Sequence, residues 1–121
     1  MTNVPLPFSD FFRTACGPDR TPYDYQSRLA RSECESRLIT IPTGLGKTAA
    51  VVLAWLWNRV HLQKAKWPRR LVYCLPMRTL VEQTRDEAEK WIGKLATAGL
   101  LGGKPPLLRA RADAHTSKLE K

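Results

Sequence analysis

The stretch Ile39-Thr-Ile-Pro-Thr-Gly-Leu-Gly-Lys-Thr48 carries the clearest chemistry in the sequence. A β-branched run leads into a turn in which Gly44 and Gly46 permit positive φ and leave the backbone uncrowded. Successive N–H groups can converge there on one anion, with the positive end of a following helix behind them. Lys47 supplies a point charge for the β- and γ-phosphates of a nucleotide, and the Thr48 hydroxyl is a ligand for Mg²⁺. Thr43, Gly44, Leu45, Gly46, Lys47 and Thr48 are therefore the candidate nucleotide-binding residues. Lys47 and Thr48 form the candidate catalytic pair, Thr48 is the candidate metal ligand, and ATP and Mg²⁺ are the implied cofactors. The strict Gly-x-x-x-x-Gly-Lys-Thr spacing is not met, because Ile41 holds the first position.

Two further constellations flank this loop. Gln26 lies twenty-one residues before Lys47, in Pro22-Tyr-Asp-Tyr-Gln-Ser-Arg-Leu-Ala30. A glutamine amide both accepts and donates, so it can read an adenine edge. Tyr23 or Tyr25 either stacks on the base or belongs to the core. Downstream, Leu75-Pro-Met-Arg-Thr-Leu-Val-Glu-Gln83 joins an apolar run to a helical one. Ligands of open α/β sheets gather at the carboxyl ends of strands. Arg78 and Thr79, at a helix N-terminus there, are candidates to hold a nucleic-acid phosphate.

The elements that must position these residues follow from periodicity and punctuation. Phe8 to Cys16 reads as a short helix with Ser9 as N-cap, stopped by Gly17-Pro18. Pro22 opens a second helix, from Tyr23 to about Glu33. Arg37 to Ile41 and Leu71 to Leu75 are short apolar strands, each ended by a proline. An apolar helix runs from Lys47 to about His61, and a long one from about Arg78 to Ala98, closed by Gly99. Strands apolar on both faces, each followed by a helix, predict an α/β fold with a parallel sheet flanked by helices. Residues 107–121 show no period that buries a face and read as a flexible tail. His61 and His115 read as surface residues.

The chain has 121 residues, 43% hydrophobic and 26% charged, which is one domain's worth with a real core. Twenty Lys and Arg against eleven Asp and Glu leave a formal charge of +9. That balance favours a polyanionic partner. No acidic residue occurs between Glu35 and Glu82, an interval with eight basic ones. The basic cluster Lys64 to Arg70, with Trp67 inside it, can touch a DNA backbone and stack a base, or is a solvated basic loop that aids solubility. Three scattered cysteines suggest neither a zinc site nor a disulfide framework. The longest apolar run, Ala49 to Trp57, is too short to span a membrane, so a cytoplasmic protein with no membrane contact is expected.

Taken together, the three motifs resemble the start of a superfamily-two DEAD/DEAH-like helicase motor, and most closely the CRISPR-associated helicase of type I systems, in the I-U/I-G branch. Pro42 to Trp57 is similar to that family's motif I and its helix, Arg69 to Gln83 to its motif Ia, and Pro22 to Ala30 to its Q motif. The resemblance implies a RecA-like P-loop domain that couples ATP hydrolysis to translocation on single-stranded DNA and unwinding in antiviral defence. Its implied partners are single-stranded DNA, a CRISPR surveillance complex and the remainder of the motor.

The family's Asp-Glu box after a buried strand is not found, since Asp86 falls in mid-helix and Asp113 in the polar tail. Nor is a second lobe or a His-Asp nuclease doublet. The chain is thus expected to be an N-terminal fragment. Residues 1–106 would form part of the first ATP-binding domain and 107–121 a flexible or aberrant tail, with no hydrolysis or unwinding by this chain alone. The competing readings are a non-catalytic basic nucleic-acid-binding module and a piece of another superfamily-two helicase.

Overall fold

The computed structural model describes residues 6–36, 38–40, 45–74, 78–102, 107–111 and 116–120. Among the described residues four α-helices come in the order α1 (Phe8–Cys16), α2 (Asp24–Arg31), α3 (Lys47–Trp55) and α4 (Arg78–Thr97). A π-helical segment, Leu56–His61, continues α3 directly. Strand β1 (Arg70–Cys74) precedes α4, and β2 (Leu107–Arg111) and β3 (Thr116–Glu120) follow it.

The core is helical. In α1, Phe8, Phe11, Phe12 and Ala15 repeat at three- and four-residue spacing, and all four are buried. Ser9 lies inside the first turn, because the helix begins directly after Pro7. α3 is buried nearly all round from Ala49 to Trp55, as its unbroken apolar run predicts. The largest fully enclosed side chains include Phe11, Leu53, Trp55, Leu56 and Leu95. Two tryptophans reach the core without stranding their indole N–H. Trp55 donates to the Pro68 carbonyl at 2.7 Å and Trp57 to that of Leu6 at 2.9 Å.

The switch to π geometry coincides with a buried asparagine that reaches a second helix. Asn58, fully buried, donates through Nδ2 to the carbonyls of Ala54 and Ala30, both at 2.8 Å. A side chain thus takes up the Ala54 carbonyl where the helical ladder widens. At its end Leu62 N–H closes on the Trp57 carbonyl, five residues back, at 2.8 Å. α4 ends as Gly99 predicts. Gly99 takes φ +75° and its N–H bonds the Ala96 carbonyl, while Leu100 N–H reaches that of Leu95. That pair of bonds is the Schellman arrangement.

The sheet differs from the expected one. It has three strands in the order β1-β3-β2, and both pairings are antiparallel. Tyr73 pairs with Ser117 across one ladder, and Ala110 with Ser117 across the other. Residues 38–40 form no strand, and Leu38 is 93% exposed. β1 is not apolar on two buried faces. Leu71 and Tyr73 are half-buried while Val72 and Cys74 are exposed, the alternation of a sheet covered on one side. The physical reason is the partner: the hairpin of β2 and β3 supplies the ladder beside β1. The stretch 107–121, expected to be a flexible tail, therefore carries two of the three strands.

Three smaller expectations are also corrected. α2 stops at Arg31, short of Glu33, where the Ser32 hydroxyl turns back to the Leu29 carbonyl at 2.8 Å. Trp67 is only 9% exposed and packs in the core, so its ring is not free to stack a base. His61 is half-buried rather than a surface residue, its ring 5.5 Å from that of Phe11. Its Nδ1 lies 2.9 Å from the Leu100 carbonyl. A carbonyl can only accept, so Nδ1 carries the proton.

Candidate nucleotide-binding site

The site is built at the start of α3. Gly46 is its N-cap and sits in the left-handed region at φ 73°, ψ 39°. Any side chain there is strained by that backbone. It would also collide, since a Cβ at Gly46 falls 2.6 Å from Gln26 Nε2. Both constraints demand glycine. Ala50 N–H makes the first regular helical bond, to the Gly46 carbonyl at 2.9 Å. The N–H groups ahead of it in the first turn have no partner within the helix. No acidic residue occupies that turn, so its positive end is not neutralised locally.

α2 braces this turn from below. Gln26 is 1% exposed. Its Oε1 accepts from Tyr23 N–H at 2.8 Å, and its Nε2 donates to the Gly46 carbonyl at 2.9 Å. The amide thus caps its own helix and ties it to the loop. Tyr25 adds a second tie, its hydroxyl donating to the Leu45 carbonyl. Burial raises the Tyr25 phenol above its ordinary range, with the neighbouring Tyr23 adding to the effect, so it remains a donor. Tyr23 stacks on Tyr25 with ring centroids 6.3 Å apart and keeps half of its surface exposed.

The other wall comes from β1 and α4. An open cleft of about 610 Å³ is lined by Gly46, Lys47 and Thr48 on one side and by Tyr73, Gln83 and Glu87 on the other. Lys47 is exposed at its edge. Thr48 is half-buried, and its Oγ1 lies 3.0 Å from the Tyr73 hydroxyl.

The sequence-derived residues thus divide. Gln26, Leu45, Gly46, Lys47 and Thr48 come together at one turn. Thr43 and Gly44 lie outside the described residues. Arg78 and Thr79 open α4, the helix whose Leu80, Gln83, Thr84, Glu87 and Trp91 line the cleft. Thr79 is exposed in that first turn. Sequence reasoning missed Tyr73, the tie from Tyr25, and the α4 face. A signal for that face was present: positions 80, 83, 84, 87 and 91 share one side of a helix.

These residues fit a nucleotide with a divalent cation. A glycine turn with open N–H groups and a lysine suits phosphate oxygens. A lone threonine hydroxyl suits Mg²⁺, which keeps much of its shell in phosphate oxygens and water. Among the described residues no group of three or more His, Cys, Asp or Glu could hold a metal without such help. Also among them, no helix is long and apolar enough to cross a membrane.

Comparison with known proteins agrees with this geometry. No curated protein and no solved structure matches the chain. The family model described as DEAD/DEAH box helicase matches residues 23–118, which is more than three-quarters of the chain. The match begins at the N-cap of α2, takes in the loop, β1 and α4, and runs into β3. It therefore includes most of the stretch expected to depart from the family. With a helicase family model matched over that length, the chain belongs to the DEAD/DEAH box helicase family.

Proposed function

We propose that this chain is the ATP-binding portion of a DNA helicase that works in CRISPR antiviral defence. In this reading ATP hydrolysis drives translocation on single-stranded DNA and unwinding by the assembled motor. The observation that carries it is the turn at Gly46, left-handed, braced by Gln26, and opening α3 with Lys47 and Thr48. Family membership supports use of ATP and Mg²⁺ and contact with nucleic acid. The narrower assignment rests on the resemblance of Leu53 to Trp57 and Leu75 to Gln83 to the type I CRISPR helicase. Its partner would be a surveillance complex carrying guide RNA.

Lys47 would lie along the β- and γ-phosphates, and Thr48 would ligate Mg²⁺, which neutralises charge on those oxygens when bound. The loop N–H groups, from Thr43 to Thr48, would cradle the phosphates. Gln26 keeps a second N–H and a second lone pair, the pair that an adenine edge requires. The exposed ring of Tyr23 would cover the base. Arg78 and Thr79 would hold a DNA phosphate at the start of α4. This chain alone would bind nucleotide without turning it over, because its Asp86-Glu87 pair sits within α4 rather than after a strand.

One calorimetric experiment tests this. Mg·ATP is titrated into wild type and Lys47→Ala, with and without a single-stranded oligonucleotide. Wild type binds, the oligonucleotide changes its affinity, and Lys47→Ala loses at least about tenfold, as a charged phosphate contact implies. DNA binding that is steep in salt but indifferent to ATP and to Lys47 would instead favour a basic nucleic-acid-binding module.

A further inference from the structure

The contact between Thr48 and Tyr73 joins the first turn of α3 to β1, and the loop motif does not account for it. A hydroxyl has one hydrogen and two lone pairs. When a threonine hydroxyl ligates a cation it does so through a lone pair, and its hydrogen must go elsewhere. In this molecule the atom 3.0 Å from Thr48 Oγ1 is the Tyr73 phenol oxygen, which can accept that hydrogen. The phenol is held there by the sheet. Tyr73 lies on the covered face of β1 with Leu71, and its backbone is paired with Ser117. Thr48 and Tyr73 both line the cleft, as does Lys47.

We infer that Tyr73 is a positioning residue for Thr48: it takes the Thr48 hydroxyl hydrogen and so turns the hydroxyl's lone pairs toward the divalent cation that accompanies a nucleotide. The inference rests on the nucleotide reading above and adds to it a residue outside the loop. Tyr73→Phe keeps the ring and removes only the acceptor. The Thr48 hydroxyl then turns freely, and the cation has to orient it at the moment of binding.

The test measures ATP affinity of the purified 121-residue chain twice, in excess EDTA and in saturating Mg²⁺. The ratio of the two is the gain from Mg²⁺. Tyr73→Phe is expected to leave the EDTA affinity within about twofold of wild type and to cut the gain roughly three- to tenfold, the weight of one hydrogen bond. On a Thr48→Val background, which has no hydroxyl to orient, the same change has no further effect. A merely structural Tyr73 would lower both affinities alike and would act equally on both backgrounds. Either of those results, or an unchanged gain in Tyr73→Phe, overturns the inference while the nucleotide reading stands. Failure of wild type to bind ATP in either condition overturns both.

Discussion

At the scale of single residues, Gly46 carries two penalties that a substitution must meet together. The left-handed backbone disfavours any Cβ, and Gln26 occupies the space the Cβ would take. Gln26 is buried and bonded at both ends of its amide, so it cannot swing aside cheaply. Gly46→Ala should therefore destabilise the chain by about 2–3 kcal/mol, more than backbone strain alone. Urea unfolding of the variant measures this, and a loss below about 1 kcal/mol would mean that the Gln26 brace yields. The residues of the turn were readable in advance because a glycine-rich phosphate loop states its own geometry. The brace was not. An amide advertises hydrogen bonding without saying to whom, so the ties of Gln26 to Tyr23 and Gly46 carry no sequence signal. Tyr73 gave still less warning, being one aromatic in an apolar run whose fold partner lies twenty-five residues earlier.

At the scale of elements, α4 offers a paired test of why its glycines matter. Gly93 and Gly99 both have open space where a Cβ would go. Only Gly99 has positive φ, at the helix's C-terminal turn. Gly93→Ala should stabilise by about 0.5–1 kcal/mol, because alanine loses less backbone entropy in a helix. Gly99→Ala should destabilise by about 1 kcal/mol through backbone strain alone. Thermal melting of both variants checks the pair, and equal effects would contradict the assigned ends of α4. Helix positions were legible because three- and four-residue apolar spacing, proline and glycine all act locally. The π geometry of Leu56–His61 was not, since it coincides with Asn58 reaching the Ala30 carbonyl of another helix. Strand pairing was the least legible. The apolar run of β1 announces a strand, but its neighbour is chosen by residues more than forty positions later in the chain.

At the scale of the molecule, the helical core and the sheet have separate roles. The core fixes where α3 begins, and α2 and β1 bring Gln26, Tyr25 and Tyr73 to that point. All three tyrosines of the sequence lie around the loop: one braces Leu45, one meets Thr48, and one stacks beside them. The basic excess does not define this site, whose cleft is lined by Lys47 and Glu87 alone among charged residues described there. Lys64, for example, lies over the Trp57 ring at 5.5 Å, where a cation–π contact explains it.

On the reading proposed above, the turn before α3 is where this chain binds nucleotide. Amide hydrogen exchange with and without Mg·ATP tests it most directly, because the ligand is proposed to sit on backbone N–H groups. Slower exchange is expected, confined to Leu45–Ala49 and the N-terminal turn of α2, and abolished by Lys47→Ala. Protection centred instead on the Lys64 to Arg70 segment, or protection at the loop that survives Lys47→Ala, would contradict it.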